Sequence, residues 1–327
     1  MKDQYDLQER ALQSRPGIAG EVDGKKFDIG TWWWHLSGIK GFACGVGHEQ
    51  IMRHLKNNHV SEIYLDVTGM YADGEVGDPL GASYSDVQRF VARCRDLGIR
   101  VSAMTGVSRD RCRRWIDPDR HYPEIDSFID SIAFYNAFSE PEERFTSAHI
   151  DVEPHSISDF NERRQFYFQQ YALLMRYISQ RLHHNGLELE TDVCGDLRET
   201  DIVKIGRKEM SIIDVVFQTC DTVTVMAYRR EAARQMVFGT DRYIPYAKKY
   251  NKRLVVGCET MLPCLDLAID DIPPQITYSS VGRDVMLEEM DKLQHMIMET
   301  GLEKYGIAVH HVYSWYQLFE KAASGIE

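Results

Sequence analysis

Several kinds of signal are scarce or missing in this chain, and each absence excludes a class of protein. No C-x-x-C pair occurs among the seven cysteines, which are odd in number and scattered at Cys44, Cys94, Cys112, Cys194, Cys220, Cys258 and Cys264. That spacing supports neither a disulfide framework nor a zinc ribbon. No apolar run reaches the length needed to span a bilayer. The opening Met1-Lys2-Asp3-Gln4-Tyr5-Asp6 has no apolar stretch of the secretory kind, so a reducing cytoplasm is the expected location. Positive charge is in deficit. Fifty acidic residues against 38 Lys and Arg give a formal net charge of −12, which argues against nucleic acid and anionic membrane as main partners. No Gly-x-Gly-x-x-Gly follows any candidate strand, so the commonest reason to choose an open dinucleotide-binding sheet is absent.

What is present is a repeated alternation. In Ser147-Ala148-His149-Ile150-Asp151-Val152-Glu153-Pro154, apolar Ala148, Ile150 and Val152 face one way and polar Ser147, His149, Asp151 and Glu153 the other. This is the period of a β-strand with one apolar face. Similar stretches are expected at Phe27–Trp34, Val60–Val67, Ile99–Met104, Leu187–Val193, Asp221–Tyr228, Arg253–Glu259 and Gly306–Val312. Helical spacing fills the gaps, most clearly over Ser158–His184, with Ser158 as the expected N-cap, and over Arg283–Thr300. The helix over Tyr84–Leu97 stops at Gly98.

Eight strands with helices between them predict an α/β fold of the (β/α)8 TIM-barrel type, about 250 residues plus insertions. The expected organisation is a polar N-terminal arm over 1–24 and one barrel domain over 25–327. The two faces of the strands support closure. Ile29, Ile63, Leu65, Val101, Ile150, Val223, Val256 and Ile307 belong to an apolar face to be covered by helices. The other face mixes small, aromatic and acidic residues, as a lumen does; an open parallel sheet would be apolar on both faces.

In such a barrel the working residues lie at the C-terminal ends of the strands. That rule selects Trp34, Asp66, Met104, Asp151, Glu153, Asp192, Tyr228, Glu259 and His310. Asp151 and Glu153, two residues apart on one face, cannot both ionise freely, so one of them should hold a raised pKa, as general-acid chemistry requires. His149 sits one layer lower and reads as a structural partner.

Three short patterns carry a family resemblance. His149-Ile150-Asp151-Val152-Glu153 resembles the strand-four signature of the chitinase-like glycoside hydrolases of family 18. Met226-Ala227-Tyr228 resembles that family's strand-six Met-x-Tyr, and Gly306-Ile307-Ala308-Val309-His310 its strand-eight Gly-x-x-x-Trp. The resemblance implies Glu153 as general acid, Asp151 as its pKa-tuning neighbour and Tyr228 as a positioner of the substrate's N-acetyl group. The chain departs from the pattern at Thr146 and His149, where the family has aspartates, at Arg229, where it has aspartate, and at His310, where it has tryptophan. A second layout resembles the large retaining-glycosidase clan, with Glu153 as acid/base and Glu259 as nucleophile.

Both layouts imply a carbohydrate substrate, no cofactor and no metal. Trp32, Trp34, Asp66, Met104, Asp192, Met226, Arg229, His310 and Trp315 are the expected substrate-binding residues. Two basic groups, Arg109-Arg111-Arg113-Arg114 after strand three and Arg229-Arg230 after strand six, fall on the mouth side. They suit either an acidic substrate or ordinary surface ion pairs. Two other readings compete. One is a divalent-metal sugar isomerase or lyase using Asp151, Glu153, Asp192, Glu259 and His310. The other is a non-catalytic sugar-binding barrel. The sequence leaves the oligomeric state open.

Overall fold

The computed structural model describes residues 17–34, 36–39, 42–43, 46–70, 82–117, 122–263 and 272–324. Cys44, Cys264, Asp119 and most of the expected arm lie outside them.

Eight parallel strands close on themselves. They are β1 (Asp28–Trp33), β2 (Val60–Asp66), β3 (Arg100–Val107), β4 (Ser147–Val152), β5 (Glu188–Cys194), β6 (Thr222–Met226), β7 (Arg253–Glu259) and β8 (Tyr305–His310), each bonded to its neighbours in chain order and β8 to β1. A main helix follows each: α1 (His48–Asn57), α2 (Tyr84–Asp96), α3 (Pro123–Ala137), α4 (Phe160–His184), α5 (Ile212–Thr219), α6 (Asp241–Tyr250), α7 (Arg283–Glu299) and α8 (Val312–Ser324). The fold is the expected (β/α)8 barrel.

The alternation sorts the side chains as expected. Ile29, Ile63, Leu65, Val101, Ile150, Val223, Val256 and Ile307 all lie in the large core between sheet and helices. Trp32, Tyr64, Met104, Val255 and Ala308, with Trp34 against them, form a second, smaller cluster inside the lumen. Gly98 and Gly186 end α2 and α4 in the left-handed conformation. In each case the next residue's N–H returns to the helix, Ile99 to Cys94 O and Leu187 to Leu182 O, which hands the chain directly to the next strand.

Some boundaries shift. β6 ends at Met226, so Tyr228 stands beyond the strand, and β8 ends at His310. Ser158 is not the cap of α4: its hydroxyl and its backbone N–H both donate to Asp110 Oδ1, at 2.9 and 3.1 Å, and the helix starts at Phe160. Two antiparallel ladders, Glu21–Val22 with Lys25–Lys26 and Ile202–Ile205 with Lys208–Ser211, are additions to the barrel plan. The stretch that closes the expected arm packs on the barrel, with Ile18 and Val22 buried.

The N-terminal end of the lumen is plugged by charge. Arg100 pairs with Glu62 and, at 2.8 Å, with Glu190; Arg253 pairs with Glu62 at 2.8 Å and with Asp28 at 3.2 Å. Tyr64 Oη donates to the same Glu62 carboxylate. Glu62 and Glu190 are fully buried, and an unpaired buried carboxylate costs several kcal/mol. Removing one cation should therefore hurt more than removing the pair. Arg253→Met is expected to lower the unfolding free energy by about 3–5 kcal/mol, and adding Glu62→Gln to recover part of the loss. Urea unfolding of the single and double variants checks both.

Candidate active site

The site is built upward from that plug. His149 on β4 lies beside Glu190 in the strand register. Its Nε2 is 2.8 Å from Asp192 Oδ2 and its Nδ1 3.4 Å from Glu190 Oε2. Its ring stacks on Tyr64 with centroids 4.1 Å apart. Burial alone would push the imidazole down, but Asp192 and Glu190 outweigh it and hold the pKa up at about 10. His149 is thus an imidazolium at neutral pH, donating from both nitrogens. Glu190 is correspondingly held well below its ordinary value: burial opposes this, and Arg100 and His149 overcome it. The expected structural role of His149 takes this form.

Asp192 accepts a second bond on the same oxygen, from Trp32 Nε1 at 3.2 Å. Its Oδ1 is buried and has no hydrogen-bond partner. One layer higher, Asp151 is in the same condition, with Oδ1 buried and unpartnered. Gly106, its register partner on β3, makes room for it: a Cβ there would sit 3.1 Å from Asp151 Cβ. Burial, then the charges of Glu153 and Asp192, push the Asp151 carboxyl well up, against the pull of His149. The Asp151 carboxyl is thus held on its proton to higher pH than an ordinary aspartate. Glu153 stands just past β4, part-exposed, with His155 Nε2 at 3.6 Å.

The opposite wall holds a linear chain of bonds. Trp34 Nε1 donates to His310 Nε2 at 2.7 Å, and His310 Nδ1 is 2.9 Å from Glu259 Oε2. An indole N–H can only donate, so Nε2 must be the acceptor and Nδ1 carries the proton toward Glu259. The other oxygen of Glu259 accepts the backbone N–H of Thr260 and of Met261, both at 2.7 Å. Tyr228 stacks on His310 with centroids 6.1 Å apart. A Cβ at Gly257 would come within 3.3 Å of the Tyr228 ring. Burial first, then Glu259, Asp192, Asp151 and Glu153, hold its phenol well above the ordinary value, so Tyr228 is a neutral hydroxyl facing four carboxylates.

The remaining expected residues fall in different places. Trp32 and Met104 are fully buried and form the floor beneath the acids. Met226 is part-buried at the end of β6. Asp66 lies on the rim, its Oδ1 accepting the N–H and hydroxyl of Thr68 at 2.9 and 2.6 Å. Trp315 departs from the expectation. It sits in α8, fully buried in the helix-side core against His54 and Phe319, because the chain has already left the mouth when it reaches this residue. Of the basic run after strand three, Arg113 is paired with Asp110 and Asp159 and Arg114 with Glu124. Arg229 lies over the ring of Phe238. Among the described residues no group of three or more His, Cys, Asp or Glu is arranged to hold a metal ion, so the metal-dependent reading gains no support from the geometry.

No family model matches the sequence, and no curated protein matches it. Solved structures do match in shape. A chitinase from Bacteroides thetaiotaomicron aligns over 88% of this chain and 90% of its own, at a TM-score of 0.54 and 12% identity. The chain has the fold of the family-18 chitinases. A family-18 chitinase from Cycas revoluta in complex with (GlcNAc)3 aligns over 90% of this chain and 98% of its own, at a TM-score of 0.53 and 13% identity. The spore cortex-lytic enzyme SleL of Bacillus megaterium QM B1551 aligns over 90% and 73%, at 0.53 and 10%. These likenesses establish a shared (β/α)8 fold. Among the described residues no helix is long and apolar enough to cross a membrane.

The raised pKa of His149 fixes a pH dependence. A group raised from 6.5 to about 10 contributes its full stabilisation below pH 6.5 and loses it as pH climbs to about 10, by up to about 1.4 kcal/mol per pH unit. The unfolding free energy of the wild type minus that of His149→Gln should fall steadily across this window. Parallel denaturant titrations at several pH values measure it.

Proposed function

We propose that this pit is the active site of a glycoside hydrolase that cleaves a glycosidic bond in an oligosaccharide or glycoconjugate, with Glu153 as general acid and then general base. The observation that carries the reading is Asp151: a carboxyl with a raised pKa and a buried, unpartnered Oδ1, two residues before the part-exposed Glu153. A carboxyl whose proton is held by burial and like charge, beside a second acid, is an arrangement that acid/base chemistry uses. In this reading Glu153, part-exposed just past β4, protonates the departing glycosidic oxygen. Asp151 offers an unused polar oxygen, and Tyr228 a neutral hydroxyl, to a substituent beside the reacting carbon.

The bonding of Glu259 supports one of the two glycosidase layouts over the other. A covalent nucleophile needs a free carboxylate lone pair aimed at the sugar. Glu259 has one oxygen bonded to two backbone N–H groups and the other to His310. The engagement of both oxygens favours Glu259 as a positioner of His310 and Trp34, and so favours a mechanism in which the substrate's own 2-acetamido group assists. In that mechanism Asp151 and Tyr228 hold the acetamido group while Glu153 transfers the proton. The reducing location expected from the sequence belongs to the same proposal; the five described cysteines, all free thiols, fit it.

Assays on aryl chitobiosides and chitooligosaccharides test the reading. Glu153→Gln should lower kcat by about 10²–10⁴ while oligosaccharide binding persists, and Glu259→Gln should cost far less. Loss of turnover in Glu259→Gln with rescue by an added small nucleophile would favour the retaining-clan layout instead. Binding with no turnover in wild type or Glu153→Gln would leave a sugar-binding barrel.

A further inference from the structure

The loop after β6 carries a cation that the hydrolytic reading does not use. Arg229 follows Tyr228, and its guanidinium lies 3.6 Å from the centroid of the Phe238 ring. Phe238 stands in a π-helical turn, Met236–Thr240, and packs on Gly195, the first residue past β5: a Cβ at Gly195 would meet the ring at 2.8 Å. The stacked pair therefore sits on the rim over the C-terminal ends of β5 and β6. Arg229 is held back by a bond from Nη1 to Tyr228 O at 2.6 Å. In a chain with 50 acidic residues, it forms no ion pair among the described residues, whereas Arg113 and Arg114 on the neighbouring loop do. Its neighbour Arg230 has a buried, unpartnered Nε, and its Nη1 donates to Ser280 Oγ on the loop after β7 at 3.2 Å. The face of Phe238 that would floor a sugar ring is thus covered by a guanidinium. Phe238 is 39% exposed and its neighbour Val237 76% exposed, so the rim is open to solvent at this point.

We propose that the substrate is an anionic glycan, and that Arg229, held flat on Phe238, binds a carboxylate or phosphate on the sugar that leaves the pit over β5 and β6. This rests on the glycosidase reading for the pit but names a substrate class the pit alone does not specify. A planar guanidinium presents two parallel N–H donors matched to such oxygens. Stacking on an aromatic ring fixes its plane in advance and reduces the ordering cost of the contact. Asp151, Glu153, Asp192 and Glu259 make the pit itself unwelcoming to an anion, so the charge must ride on a flanking sugar rather than at the reacting ring. Arg229 is a specificity residue in this account.

Calorimetric binding to one scaffold in three forms decides the matter: chitotetraose, the same tetrasaccharide carrying a 6-phosphate, and the same carrying a 6-carboxylate. Wild type is expected to bind at least one anionic form about tenfold more tightly than the neutral one, with the preference shrinking as salt is raised. Arg229→Gln should bring that ratio close to one. Arg229→Lys should keep part of it, and Phe238→Leu, which removes the platform and leaves the charge, should reduce it. Whichever of the two anions shows the preference identifies the group. Equal affinity for all three forms in wild type, no binding of any, or a ratio unchanged in Arg229→Gln would overturn the proposal. Turnover assays on the same three compounds keep the two readings apart. Hydrolysis without charge preference would remove the anionic substrate alone, and charge-dependent binding without hydrolysis would remove the glycosidase alone.

Discussion

The structure depends on one buried cation. His149 lies between Asp192 and Glu190, donating to both from inside a sealed lumen. Without it, Glu190 would keep only Arg100 as a counterion, and Asp192 would lose its hydrogen bond from the imidazolium. With it, Glu190 stays ionised and Asp192 is anchored. Asp151 is left as the acid that burial and its neighbours push toward the neutral form. An imidazolium in a low-dielectric interior is itself costly, and it survives because both its N–H groups are bonded and its ring lies on Tyr64.

This arrangement divides the lumen by depth. The lowest layer is a closed ion-pair plug of two arginines and two glutamates. Above it come aromatic and apolar side chains, with Trp32 and Met104 fully buried. Toward the mouth, Asp151 and Asp192 each keep one buried carboxylate oxygen without a hydrogen-bond partner. Buried polar atoms are normally paired, and exceptions concentrate where a ligand supplies the missing bond. The engaged Glu259 and the unpartnered Asp151 are thus opposite cases within one site: one acid spends its oxygens on structure, and the other keeps one in reserve.

Much of this was legible in the residues because a barrel with a polar lumen writes itself as period-2 alternation, and strand four does so without interruption. The pairing of Asp151 with Glu153 and the rise of one pKa follow from spacing alone. The structural duty of His149 was legible from its place one layer down. Partnerships between strands were not. Arg100 and Arg253 are each the first residue of a strand, where an arginine reads as a solvated end, and only the register shows them meeting Glu62. The bonding of Glu259 depends on the backbone turn at Thr260 and Met261 and on His310 from the next strand, which no local pattern encodes. Trp315 misled because nearness in sequence to a strand end does not survive the start of a helix: five residues past His310 it already faces the helix-side core. For the basic loops, sequence showed charge but not partners, and the structure separates paired Arg113 and Arg114 from Arg229.

The central claim is that the lumen holds the Asp151 carboxyl well above the usual carboxylate range. Infrared difference spectroscopy of wild type against Asp151→Asn tests this most directly. The account predicts a protonated-carboxyl carbonyl band in the wild type, absent from the variant, that gives way to the carboxylate band only well above the pH at which an ordinary aspartate ionises. A band that titrates within the ordinary aspartate range would contradict the account.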